Sequence, residues 1–259
     1  MNMTQRSIFI TGAASGIGLA TAKLFLERGW FVGAFDINQN GLHKLRSEAG
    51  PDRLLTRQLD VSRSADFTIC VTEFLAAAGN RLDILFNNAG IATGGPFQDM
   101  TAENAKAVIN TNLLGVIYGI QAAFSALKST PNSLCFTTSS SSGIFGMPYI
   151  ALYSATKHAV KGLTEALAIE FRQHGIRCSD VLPGHIITPL QPPGAELKAP
   201  TSGMFRPVPP EAVAEVVWRA YQEDRLHWYV PEEIEELESI ALKNPIGLRD
   251  NWLAKREPS

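Results

Sequence analysis

Ser7-Ile-Phe-Ile-Thr11 runs directly into Gly12-Ala-Ala-Ser15-Gly16-Ile17-Gly18, after which Leu19, Ala20, Ala22, Leu24, Phe25 and Leu26 recur at helical spacing. A short β-branched and aromatic run, a glycine turn and an apolar-periodic helix follow one another without a gap. That order aims backbone N–H groups and a helix N-terminus at one place, where an anion gains most from them. Glycines let the backbone approach a pyrophosphate and let helix and strand pack closely. Gly12, Ser15, Gly16, Ile17 and Gly18 are therefore expected to cradle the phosphates of a dinucleotide. The spacing is G-x-x-x-G-x-G, not the commoner G-x-G-x-x-G.

Outward from the turn, Trp30-Phe-Val-Gly-Ala-Phe35 reads as a second strand ending in Asp36, 24 residues after Gly12. A carboxylate at that distance grips the adenosine ribose diol. It also repels a ribose 2′-phosphate, and neither Ser15 nor Ile37 brings the positive charge NADP would want, so NAD is the expected cofactor. The competing reading makes Asp36 a helix-capping residue before Asn38. Further strands are expected at Arg53–Leu59, Arg81–Phe86, Ser133–Thr138 and Gly175–Leu182, with helices over 64–78 and 101–127. Strands alternating with helices predict a single α/β domain over residues 1–259, a doubly wound parallel sheet of Rossmann type with helices on both faces. Ligands gather beyond the strand C-termini in such sheets, and Gly12, Asp36, Asp60, Asn87 and Ser140 all fall there.

Tyr153 and Lys157 lie four apart at the start of another apolar-periodic segment, which places both on one helix face. A phenol with a pKa near ~10 is a poor acid–base group at neutral pH, and a nearby ammonium lowers that value by stabilising the phenolate. A serine hydroxyl reaching the same point would hold a carbonyl or alcohol oxygen beside it. Ser139 to Ser142 are consecutive; alternation turns Ser139 and Ser141 away from Ser140, while Ser142 shares its side.

Thr11-Gly-Ala-Ala-Ser-Gly-Ile-Gly18, Asn87-Asn-Ala-Gly90, Ser140 thirteen residues before Tyr153, Lys157, and Pro183-Gly184 together resemble the short-chain dehydrogenase/reductase family, in order from about residue 6 to 190. The resemblance implies that Asp60 and Val61 meet the adenine and that Asn87, Ala89 and Gly90 line the cofactor groove. It implies that Pro183, Gly184, Ile186 and Thr188 fix the nicotinamide carboxamide. It selects Ser140, Tyr153, Lys157 and Asn112 as the catalytic set, with Lys157 and Tyr153 also touching the cofactor and Asn112 helping to hold a water that links Lys157 to solvent. The implied reaction passes a hydride between NAD and a secondary alcohol or its ketone. Two rivals stand beside it: an NADP-dependent ketoreductase, and a non-catalytic dinucleotide sensor on the same fold. No G-x-S-x-G elbow supports a serine hydrolase.

Composition narrows the rest. Of 259 residues 45% are hydrophobic and 19% charged, and the net charge is −2. Without a basic block, nucleic acid and anionic membranes are not expected partners. Cys70, Cys135 and Cys178 are scattered in apolar segments, which predicts reduced core thiols, no metal site and a cytoplasmic protein. Neither a signal peptide nor an apolar run near the ~20 residues of a membrane span is expected.

Seven of the fifteen prolines fall between Pro189 and Pro210, which predicts a substrate lid there. Phe145, Met147, Tyr149, His185, Leu190, Met204 and Phe205 are the candidate substrate-facing residues, and their apolar character suggests an apolar or aromatic alcohol or ketone. The segment from 226 to 259 departs from the family's usual close: Leu226–Val230 leads into Pro-Glu-Glu-Ile-Glu-Glu-Leu-Glu238, whose five glutamates are expected to form a solvated helix face. Since the family's tetramer contacts use this end, a tetramer is doubtful. Ala155, Ala159, Gly162 and Ala166 permit either a helix-paired homodimer or packing on the sheet.

Overall fold

The computed structural model of the chain describes residues 5–191 and 200–254. Seven parallel strands make one sheet: β1 (Ser7–Thr11), β2 (Phe31–Asp36), β3 (Leu54–Gln58), β4 (Ile84–Asn87), β5 (Leu134–Thr138), β6 (Arg177–Pro183) and β7 (His227–Val230). Their spatial order is β3-β2-β1-β4-β5-β6-β7, so the connections reverse direction between β1 and β4 and open a crevice above that point. Helices α1 (Gly16–Glu27), α2 (Gln39–Ala49), α3 (Ser64–Ala77), α4 (Ala102–Ile109), α5 (Gly115–Ser129), α6 (Ala151–Glu170), α7 (Pro210–Gln222), α8 (Ile234–Lys243) and α9 (Pro245–Ala254) complete the chain.

Strand alternation divides the interior into two layers. Ile8, Ile10, Ile84, Phe86 and Val181 pack with Phe25, Leu42, Leu45 and Val217 from α1, α2 and α7. Phe9, Phe35 and Leu85 pack with Phe67, Phe74, Ile120 and Val160 from α3, α5 and α6. The sheet is covered on both sides, as near-continuous apolar strands require. Cys70, Cys135 and Cys178 are buried free thiols.

Several expectations are corrected. The helix expected over 101–127 contains a π turn, Asn110–Leu114, between α4 and α5. Taken through that turn, residues 102–129 are long and apolar enough to cross a membrane by length and composition (28 residues, mean hydropathy 1.4), although no such run is expected from the sequence. Here the helix packs against α3, β4, β5 and α6. In the acidic segment Glu232, Glu233, Glu235 and Glu236 are exposed as expected, whereas Glu238 is only partly exposed: it ion-pairs with Lys161 at 2.9 Å and accepts from the Tyr229 hydroxyl. Leu226–Val230 supplies the edge strand β7, so the departure lies in the two helices that follow. On α6, Ala155, Ala159, Gly162 and Ala166 face outward instead of packing on the sheet.

Candidate active site

The strand ends and the loops after them surround one groove of about 850 Å³. At its floor Gly12 takes φ +69°, and a Cβ there would lie 2.9 Å from the Ala89 Cα. Only glycine lets the two loops meet so closely. Gly18 lies outside the groove and packs α1 onto β1: a Cβ on it would sit 2.1 Å from the Gly12 carbonyl oxygen. Ser15 is the N-cap of α1 yet its side chain makes no capping bond, so the first-turn N–H groups point toward the groove without a side-chain partner from it. A glycine cradle under an uncapped helix start fits a pyrophosphate.

Asn38, whose side chain accepts from Gly41 N, is the cap of α2, so the helix-capping reading of Asp36 is corrected. The Asp36 carboxylate accepts from Ala14 N at 2.9 Å and Asn38 N at 2.8 Å, tying the glycine turn to β2, and it also lines the groove. Asp60, whose Oδ1 accepts from the Ser62 N–H and hydroxyl, lies beside it with Val61. Among the described residues lining the groove, Lys157 is the one cation.

The turn after β4 is corrected by one residue. Asn87 continues the strand, so its side chain enters the helix layer toward Gly119 and does not line the groove. Asn88 lines it instead. Asn88 N and Ala89 N donate to Thr11 Oγ1 at 2.9 and 3.0 Å, Asn88 Nδ2 donates to Thr11 O at 3.0 Å, and Thr138 Oγ1 donates to Asn88 Oδ1 at 3.1 Å. One amide thus fastens the ends of β1, β4 and β5. Strand alternation from Leu85 to Asn87 is the sequence signal that could have found it.

Asn112 also lies outside the groove. It is buried in the π turn; its Oδ1 accepts from Ile91 N at 2.9 Å and its Nδ2 donates to Ile91 O at 2.8 Å. It therefore fixes the loop that carries Gly90, a common use of a π turn near a functional site. A Cβ on Gly90 would be 3.5 Å from Asn112 Oδ1 and 3.8 Å from Lys157 Nζ.

Ser140, Tyr153 and Lys157 meet at the groove's centre. Ser140 lies two residues beyond the end of β5 and caps a short 3-10 turn, its hydroxyl accepting from Ser142 N at 3.1 Å. Ser139 turns the other way and donates to Lys157 O at 3.0 Å, as alternation requires. Lys157, buried, donates from Nζ to Thr138 O at 2.7 Å and lies 5.5 Å from the centroid of the Tyr153 ring. Contrary to the expected lowering, loss of solvent pushes the phenol up, with a hydrogen bond from Ser140 pulling the other way. The lysine bears the larger consequence of burial, which lowers it to about 8 against the opposing charge of Asp180. The physical reason is that an amine packed among strand ends pays for its own charge before it can support a neighbour's.

Beyond this centre, Pro183, Gly184, Ile186, Thr188, Leu190 and Gln191 close one wall, and Ile91, Ala92, Gly94 and Ile150 the other. The last four were not singled out from sequence, because only the folded loops bring them to the groove. Phe145 and Met147 do not reach it: they line a separate apolar cavity of about 660 Å³ with Ala155, His158, Trp252 and Leu253. Tyr149, at φ +66°, is exposed outside both groove walls, its carbonyl accepting from Gly95 N. His185 has a buried Nε2 with no partner among the described residues and does not line the groove. Met204 and Phe205 pack on Leu182, Tyr229 and Ile234. Of the expected lid, residues 192–199 lie outside the described residues, and its far end is docked through a bridge between Ile186 and Val208.

A parallel sheet with a glycine-lined groove over its crossover point defines a dinucleotide-binding protein of Rossmann type. A family model described as short chain dehydrogenase matches residues 6–196, and the chain belongs to that family of nicotinamide-dependent oxidoreductases. It is 35% identical over 192 residues to a levodione reductase from Leifsonia aquatica, covering 72% of each chain. It is 34% identical over 215 residues to a cyclohexanol dehydrogenase from Acinetobacter sp. strain SE19, covering 80% of this chain and 84% of that one. A 3-ketoacyl-(acyl-carrier-protein) reductase from Brucella melitensis, solved with NADH, superposes with a TM-score of 0.79 at 27% identity over 87% of this chain and 96% of its own.

Proposed function

We propose that the chain is an NAD-dependent alcohol dehydrogenase or ketoreductase acting on an apolar secondary alcohol or its ketone, with Tyr153 as the general acid–base. The observation that carries this reading is the convergence of Ser140, Tyr153 and Lys157 beside Gly90 and Gly184 at the centre of one groove. The carboxylates of Asp36 and Asp60, with no arginine or lysine beside them among the described residues that line the groove, support NAD over NADP. When bound, the nicotinamide supplies the hydride acceptor or donor. In oxidation the Ser140 hydroxyl holds the substrate oxygen and the Tyr153 phenolate takes its proton; in reduction the phenol gives the proton back. The rise that burial imposes on the phenol is opposed by the Ser140 hydroxyl, and an ammonium on Lys157 would work in the same direction. Asn112 keeps the Gly90–Ile91 wall in place.

Ile91, Ala92, Ile150 and Leu190 favour an apolar ring or chain over a charged substrate. Cyclohexanol and levodione, which two relatives' names specify, head the screen. The outward stripe Ala155, Ala159, Gly162 and Ala166 favours a homodimer, which sedimentation would test, and the reduced thiols suit the cytoplasm. Titration with NADH and NADPH tests the cofactor first: tight NADH and weak NADPH are expected, and the reverse would overturn the ribose assignment. Turnover of secondary alcohols with NAD⁺ then tests the reaction, and binding without any turnover would favour a dinucleotide sensor.

A further inference from the structure

Asp180, in the middle of β6, is fully buried and plays no part in the chemistry above. It shares the face of β6 occupied by Cys178, which packs in the α3, α5 and α6 layer. Its Oδ1 accepts from His227 Nδ1 on β7 at 2.7 Å, and its Oδ2 is buried without a partner among the described residues. A buried carboxylate with an orphan oxygen is costly and calls for a compensating charge. Across the sheet Asp180 is the register partner of Thr137, and the next residue, Thr138, offers the carbonyl that Lys157 Nζ binds. The acid therefore lies one row below the lysine, on the strand against which α6 packs.

The charged groups around it form a line to the surface. His227 Nε2 faces Glu165 Oε1 of α6 at 3.3 Å. The same Glu165 oxygen holds Lys161 at 2.6 Å, and Lys161 reaches Glu238 of α8, which Tyr229 of β7 also contacts. A carboxylate thus faces each ring nitrogen of His227.

We propose that Asp180 and His227 are positioning residues that hold Lys157 as an ammonium, the Asp180 carboxylate supplying the charge and the His227 ring keeping that carboxylate ionised. Its bearing on catalysis rests on the roles given to Lys157 and Tyr153 above. The balance of forces agrees. Burial lowers the lysine and Asp180 opposes it; burial raises Asp180, and the hydrogen bond and charge of His227 oppose that. Removing the Asp180 charge therefore lets Lys157 lose its proton at lower pH.

Competitive labelling of the full chain with acetic anhydride, read at Lys157 by peptide mass spectrometry across its titration, measures the amine directly. Asp180→Asn is expected to move the Lys157 midpoint down by about one pH unit, the low end for loss of one nearby opposite charge. The alkaline limb of the alcohol oxidation rate should move with it, while NADH affinity at neutral pH stays within about twofold, roughly 0.4 kcal/mol. His227→Phe should shift the midpoint the same way, and His227→Gln, which keeps a donor for the carboxylate, should restore most of it. A folded Asp180→Asn protein with an unmoved Lys157 midpoint would overturn the proposal. If that variant does not fold, equal midpoints in His227→Phe and His227→Gln would overturn it. A shifted midpoint in a protein that turns over no alcohol would uphold the coupling and overturn the proposed reaction instead.

Discussion

At the amino-terminal end of the strands Asp83 is fully buried, yet both its oxygens are occupied. Arg81 holds it through two bonds at 2.7 and 2.5 Å, Ser7 N donates at 2.9 Å and the Tyr221 hydroxyl at 2.8 Å. At the carboxyl-terminal end of the same sheet the Ser15 side chain caps nothing, and the Lys157 ammonium is buried on one carbonyl, with its pKa depressed. One end spends its polar groups on closure, binding the first strand to β4 and α7. The other leaves them open toward a groove. Satisfied buried networks rigidify, and incompletely satisfied ones are where binding and chemistry remain available.

Four variants sharpen or break that contrast. Tyr153→Phe should cost about 10²- to 10⁴-fold in turnover, the usual worth of a general acid–base group, with NADH binding and melting temperature essentially kept. Near-normal turnover would remove the phenol from the mechanism. Asp83→Ala should do the opposite, costing about 3–5 kcal/mol in denaturant unfolding by stranding Arg81, with unchanged NADH affinity in the folded fraction. A loss below ~1 kcal/mol would mean the closed end is not the structural one.

Lys157→Met tests the open end by stability. With its folded-state pKa near 8, below the ordinary 10.5, the native chain binds fewer protons than the unfolded chain between those values. This group therefore makes wild-type stability rise with pH across that window, and burdens it below. The methionine variant should be more stable at neutral pH by about 1–3 kcal/mol, with the gap closing toward pH 10.5, while turnover is lost. A less stable variant at neutral pH would show that the bond to Thr138 outweighs the buried charge. Asp36→Ala should weaken NADH about tenfold, roughly 1.4 kcal/mol, and narrow the preference over NADPH; equal affinities before and after would assign the carboxylate to holding the glycine turn on β2 alone.

Local sequence carried much of this site. Gly12, Asp36, Asp60 and Ser140 sit at or just beyond strand ends, where period and turn chemistry place them on one edge of one sheet, whereas Tyr153 and Lys157 share one helix face by spacing and join that edge through the family resemblance. The errors have equally local causes. The motif at Asn87 points to the groove a side chain that alternation puts in the core, and the apolar character of Phe145 and Met147 suits a substrate but equally suits the separate cavity they line. The π turn at Asn112 leaves no trace in hydrophobic period, because one extra residue in a long apolar helix changes no residue type.

The sequence by itself determined the parallel sheet, its order of elements and the glycine-lined edge, since these follow from periodicity and from backbone shapes that few residues allow. Tertiary structure decided which side of each strand a polar group faces, which distant loops form the groove walls, and that burial depresses Lys157 rather than leaving it a free surface charge. Those depend on what packs against a residue from elsewhere in the chain: Asp180 and His227 lie far from Lys157 in sequence, and only the adjacent strands β5, β6 and β7 bring their charges beneath it.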